Sequence, residues 1–169
     1  MTYLTRGFML SLIFSFILLV GVLYVSANQA YIYGSAEDAE QTREWLETQR
    51  QTITMQDIFV NNFIISIPMI LPVIGLVPFY IAWQNTGQTV GLLSLTYNIH
   101  PSIYIGNLIV LGFTEILAYT FLSAENIYVT VLALVKAGAK ERITQQSWKT
   151  LIIYLILLFV SAATEVGLS

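Results

Sequence analysis

The residues best suited to chemistry are two carboxylates in apolar surroundings. Glu115 lies in the stretch IVLGFTEILAY, Ile109–Tyr119, and Glu165 lies in AATEV near the end of the chain. An ionised carboxylate at the centre of a bilayer costs about 2.5–3.5 kcal/mol on insertion scales, so Glu115 is expected to be protonated, paired or beside water. If the two acids approach each other, they can share one proton. On a continuous helix at about 100° per residue, Tyr104 lies about 20° from Glu115, Tyr119 about 40° and Asn107 about 80°, which places all three on its side. Three roles are open to Glu115. The preferred one is an interhelical hydrogen bond that fixes packing; the others are a proton or ion site and a contact to a partner subunit.

Other polar and small residues follow a pattern. Asn61 and Asn62 stand near the start of an apolar stretch, placed to cap or bridge helices. Asn85 is placed to cap a helix that holds Gly87 and Gly91, a small-xxx-small pair that permits close helix contact. His100 precedes Pro101, where a helix is expected to begin because proline suits the first turn. There is no cysteine and one histidine, which leaves thiolate chemistry and the common zinc sites without ligands. No nucleophile–base set, phosphate loop or dinucleotide fingerprint is legible, so neither catalysis by this chain alone nor a cofactor is expected. A net charge of −3 without a basic cluster gives nucleic acid nothing to bind.

The elements that must position these groups are helices in a membrane. Of 169 residues, 56% are hydrophobic and 10% charged, against about a quarter charged in soluble domains. The expected fold is all-α, a single polytopic domain over 1–169 with about five spans. The first span runs from about Gly7 to Tyr31, and it reads as a retained helix rather than a cleaved signal because Phe8–Ala27 is long enough to cross. An acidic surface helix follows within 33–57, with Ser35 as its N-cap ahead of Asp38. The second span, about Ile58 to Trp83, holds Pro68, Pro72 and Pro78 and is expected to be kinked, its freed carbonyls satisfied by neighbours. Residues 84–100 are expected to form a short re-entrant segment. A third span covers about Ser102 to Leu122. Residues 124–139 either return across the membrane or extend that helix beyond a bend near Ser123. The last span covers about Lys149 to Val166. Tyr31, Tyr33, Trp83, Tyr97 and Trp148 are expected in the interfacial aromatic belt.

Charge suggests the orientation. The segment from Gly34 to Asp57 carries six acids and two bases, while Lys136, Lys140, Arg142 and Lys149 stand against Glu141 alone. The positive-inside rule then places the N-terminus and the 139–148 loop in the cytoplasm, with the acidic helix outside.

Four motifs in order carry a family resemblance: IFVNN opening a span, NTGQTVG with its Asn-x-Gly-x-x-x-Gly spacing, GFTEILAY with its Gly-x-x-Glu core at Gly112 and Glu115, and AATEV closing the last span. Over about Ile58 to Val166 the chain resembles the stage II sporulation protein M family, small polytopic membrane proteins of bacteria and archaea. In that family a histidine usually precedes the glycine of the Gly-x-x-Glu core; here that position is Leu111. The resemblance implies a non-enzymatic membrane component with polar residues buried between helices. The family's bacterial role, in a complex that recruits cell-wall hydrolases during engulfment, is the narrower implication. The preferred expectation is therefore a structural or assembly component of a membrane complex, in contact with the bilayer and with other subunits or copies of itself. The alternatives are a small transporter or channel with Glu115 as its ion site, and an accessory subunit of a larger membrane enzyme.

Overall fold

The first helix shows why this chain packs as it does. In a computed structural model that describes residues 3–168, with side chains through Glu165, α1 spans Arg6–Tyr33. Met1, Thr2 and Ser169 of the expected domain 1–169 lie outside the described residues, as does the side chain of Val166 in AATEV. The Thr5 hydroxyl caps α1 by accepting from the Phe8 amide at 3.2 Å. Phe8, Ser11, Ser15, Leu19, Leu23 and Ala27 recur every three or four residues and form one buried stripe. Leu10, Ile13, Phe14 and Ile17 on the other side are exposed, as a lipid-facing surface requires. At 1.5 Å per residue, α1 exceeds the roughly 30 Å of a bilayer core.

Ser35 then caps α2, Ala36–Thr52, in a reciprocal capping box with Asp38, as its sequence foretold. Thr54 and Asp57 repeat the device for α3, Met55–Ser66. Next comes a 3-10 turn, Ile67–Ile70, and an irregular link to α4, Leu76–Tyr97. The expected kink is thus a full break. Pro68 and Pro72 each lack an amide donor, and Val73 takes a left-handed backbone with φ of 69°. Pro78 does no damage because it lies in the first turn of α4, where amides have no helical partner.

Residues 84–100 correct the expected division of the chain. They are not a separate segment: α4 runs unbroken through Trp83 and Gln84 and ends at Asn98, which adopts φ 51°. A left-handed Asn suits a helix C-terminus because its short side chain tolerates that backbone.

His100 caps α5, Pro101–Leu111, accepting from the Ser102 amide at 3.3 Å. α6 follows as Phe113–Leu134. The expected third span is therefore broken at Gly112, and there is no bend at Ser123. Residues 124–134 extend α6. A short helix α7, Ala139–Gln145, leads into α8, Ser147–Leu168. Among the described residues the fold is all-helical, and α1, α6 and α8 are long and apolar enough to cross a membrane.

Contacts give the directions. Phe8 meets Phe121 and Tyr128, while Tyr31 meets His100, so α5 and α6 run antiparallel to α1. Gly87 faces Leu23 and Ser26, and Gly91 faces Ala27 and Ala30, so α4 runs parallel to α1. A Cβ on Gly91 would sit 2.2 Å from the Ala27 carbonyl oxygen and one on Gly87 2.7 Å from that of Leu23. These glycines serve contact within the chain. The need is physical: lipid tails remove the hydrophobic drive between helices, leaving close van der Waals contact to hold them. α8 runs antiparallel to α6, and α3 antiparallel to α8, as the Tyr119–Tyr154 and Phe59–Phe159 ring contacts indicate. Leu19, Leu23, Phe79, Trp83, Ile116, Tyr119 and Leu158 share the main core.

Candidate functional site

Helix α6 organises the polar interior. Glu115, Tyr119, Asn126 and Thr130 fall within about 60° of one another on its surface. This strip faces α3 and the break that follows it, in parallel register. The Asn62 amide donates to Glu115 Oε1 at 3.2 Å, and the Tyr119 hydroxyl donates to the Asn62 carbonyl at 3.3 Å. Farther along, Asn126 Nδ2 donates to the Met69 carbonyl at 2.9 Å and also to that of Leu71. The Val73 amide donates to Thr130 Oγ1 at 2.9 Å. Backbone groups of the broken segment are thus met by a neighbouring helix, whereas the Pro68 carbonyl, freed by Pro72, accepts from the Leu71 amide of its own turn. Gly75 makes room for this: a Cβ there would lie 2.4 Å from Asn126 Nδ2. Beside the strip, Ser66 and Tyr154 join hydroxyls between α3 and α8.

Glu115 itself is half-buried in the first turn of α6. The expected wheel assumed a continuous helix, and the break at Gly112 undoes it: Tyr104 and Asn107 belong to α5, and Asn107 is exposed. Only Tyr119 keeps its expected relation. Glu165 is exposed near the end of α8 and, among the described residues, makes no hydrogen bond to Glu115, so the two acids are not joined by a shared proton, although each lies within electrostatic reach of the other. The other expected positions divide plainly. Asn62 bridges helices, whereas Asn61 is exposed. Asn85 lies exposed within α4 and does not cap it, because no helix begins there. Gly87 and Gly91 make the expected close contact. Gly112 does not: the nearest atom a Cβ would meet is the Leu108 carbonyl of its own chain turn, at 3.0 Å. Trp83 is 4% exposed and stacks edge-on to Tyr119, so it belongs to the core rather than the aromatic belt. Tyr33, Tyr97 and Trp148 are exposed.

The most heavily bonded site involves a carboxylate that sequence reasoning passed over. Glu125 projects from a second face of α6, and Arg142 of α7 grips it with two parallel bonds, Nε to Oε1 at 2.8 Å and Nη2 to Oε2 at 2.5 Å. Ser147 donates to Oε1 at 2.7 Å and Thr150 to Oε2 at 2.8 Å. The Tyr3 hydroxyl lies 2.9 Å from Thr150 Oγ1; since Thr150 donates onward to Glu125, Tyr3 donates here. Arg142 Nη1 donates to the Tyr3 carbonyl at 2.6 Å, which ties down the chain ahead of α1. The Tyr3, Phe8 and Tyr128 rings surround the guanidinium, with its carbon 4.7–5.1 Å from their centroids. Arg142 is fully buried. Burial, and the negative charge of Glu125, push the Tyr3 hydroxyl up from its ordinary value. In sequence Arg142 reads as one more loop cation; its guanidinium, bidentate and weakly hydrated, suits a buried pair better than lysine would. The signal available was Glu125 itself, another acid in an apolar stretch.

Chemically, the Glu125–Arg142 pair is closed. Four donors fill the carboxylate and three rings flank the cation. The Glu115 end is more open, with one amide donor and a neighbouring acid. The chain matches no family model, no curated protein and no solved structure.

Proposed function

We propose that the chain is a non-enzymatic, multi-pass integral membrane protein that serves as a structural or assembly component of a membrane complex. The observation that carries this reading is the use made of the interior charges. Glu125 and Arg142 join α6, α7, α8 and the segment before α1, with every one of these bonds directed at a different element. Such a network holds a particular arrangement of helices and leaves no group free to attack or protonate a substrate.

In the bilayer we place five crossings: α1, α3 with its 3-10 turn, α4, α5 with α6, and α8. The alternating directions of these elements support that number. Arg6, Lys136, Lys140 and Lys149 then share one end and α2 the other, so the basic end faces the cytoplasm even without Arg142. The resemblance to the stage II sporulation protein M family belongs to the same proposal. Gentle purification from the native membrane, followed by mass spectrometry, tests it. Stoichiometric membrane partners are expected. A chain that purifies alone, without any partner, contradicts the assembly role.

A second reading has its own observation. Glu115 stands beside the Gly112 break, next to the broken α3 and to Glu165, and discontinuous helices are a hallmark of transporter sites. It requires ion flux in liposomes that Glu115→Gln abolishes.

A further inference from the structure

At the end of the bundle that carries α2, an open groove of about 770 Å³ lies between the last turns of α1, the first half of α2 and the middle of α4. This is within the 300–1,000 Å³ usual for small-molecule sites. Its frame is firm. The glycine contacts lock α1 to α4, and a Leu92 methyl packs against Gly34, so closely that a Cβ there would come within 2.7 Å. Ala39, 2% exposed, seats α2.

The lining selects a chemistry. Gln29 and Tyr33 come from α1, Gln41 and Trp45 from α2, and Gln88 and Thr89 from α4. Trp45 is 58% exposed and makes no ring contact among the described residues. An indole left uncovered beside the groove offers a flat apolar face on which a ring can stack. The side chains of Gln29 and Gln88 have no hydrogen-bond partner among the described residues, so their amides are available as both donor and acceptor, whereas Gln41 Nε2 donates to Glu37 at 3.4 Å and leaves its oxygen to accept. The lining holds no lysine or arginine, and Asp38 is already bound by the Ser35 hydroxyl at 2.6 Å. An anionic headgroup would find no counter-charge here. An acyl chain would leave the two amides unpaired, at a desolvation cost. What fits is a neutral ring that offers an apolar C–H face to Trp45 and hydroxyls to the amides at its edge.

We propose that this groove, formed by Trp45, Tyr33, Gln29, Gln41 and Gln88, binds a neutral saccharide unit. The groove exists whichever way the bundle sits in the bilayer, so the proposal stands apart from the assembly role. The test uses the full chain in phosphatidylcholine nanodiscs, titrated calorimetrically with tetrasaccharides of α-1,4-glucose, β-1,4-glucose and β-1,4-N-acetylglucosamine. Binding of at least one at about millimolar strength is expected, nearly independent of salt. Trp45→Ala and Gln88→Ala should each weaken it by about tenfold or more, while circular dichroism and melting stay as in the parent because both side chains are exposed. Three results overturn the proposal: no tetrasaccharide binds at about 10 mM, well above the expected strength; binding persists undiminished in both variants; or native mass spectrometry shows instead a phospholipid retained through Trp45 and Gln88.

Discussion

Two carboxylates ten residues apart on α6 meet opposite fates. Glu125 receives a bidentate guanidinium and two hydroxyls, and its side chain is 10% exposed. Glu115 receives one amide at 3.2 Å beside a second acid. The difference is one of supply. α7 folds back across the end of α6 and brings its arginine to Glu125, while the neighbours of Glu115 on α3 and α5 carry no cation. A buried charge with a full set of partners ties elements together; one with a single neutral donor leaves its site adjustable.

The largest effect that sharpens this contrast is expected from Arg142→Ala. It strands a buried Glu125 and should destabilise the fold by about 3–5 kcal/mol, read as a lowered unfolding temperature in nanodiscs. A loss near zero would mean the pair is dispensable. Gly91→Ala tests whether packing outside either carboxylate site matters as much. Its methyl would press on the Ala27 carbonyl, and overpacking of this kind costs about 1–3 kcal/mol. At the other carboxylate, Asn62→Ala removes the one donor to Glu115, and membrane hydrogen bonds of this class average about 0.6 kcal/mol. If it matched Arg142→Ala, the contrast would fail. The smallest effect belongs to the exposed pairs of α2. Arg43 holds the Glu40 carboxyl below its ordinary value of 4.5. A depressed acid stabilises above that value and loses its contribution as pH falls through the lower one. Acid titration through that range should therefore loosen α2, detected by hydrogen exchange across Ala36–Thr52.

Much of this was legible in the residues. The helical class, α1, the capping of α2 by Ser35 and the start of α5 at Pro101 follow from local patterns, and so does the tight use of Gly87 and Gly91. Helix breaks were harder. Three prolines announced a disturbance, but only the combination of Pro68, Pro72 and the left-handed Val73 decides that the helix stops. Trp83 to Gln84 looked like a boundary because composition changes there; the backbone, held against α1 by the glycines beyond, continues. Glu115 met Asn62 through a contact 53 positions distant, which no wheel drawn on one helix could reveal. Arg142 was hidden for the same reason. A cation in a basic loop reads as solvent-exposed until the loop is seen to fold over an acid 17 positions earlier.

The most direct measurement compares Glu125→Gln with Glu115→Gln in the same nanodiscs, by reversible unfolding. Each replacement keeps the side chain's size and removes the carboxyl group. Glu125→Gln should cost several kcal/mol, because Arg142 is left buried without a counter-charge, and Glu115→Gln should cost less than about 1 kcal/mol. Equal losses, or a larger loss at Glu115, would contradict the view that Glu125 and Arg142 hold the bundle together.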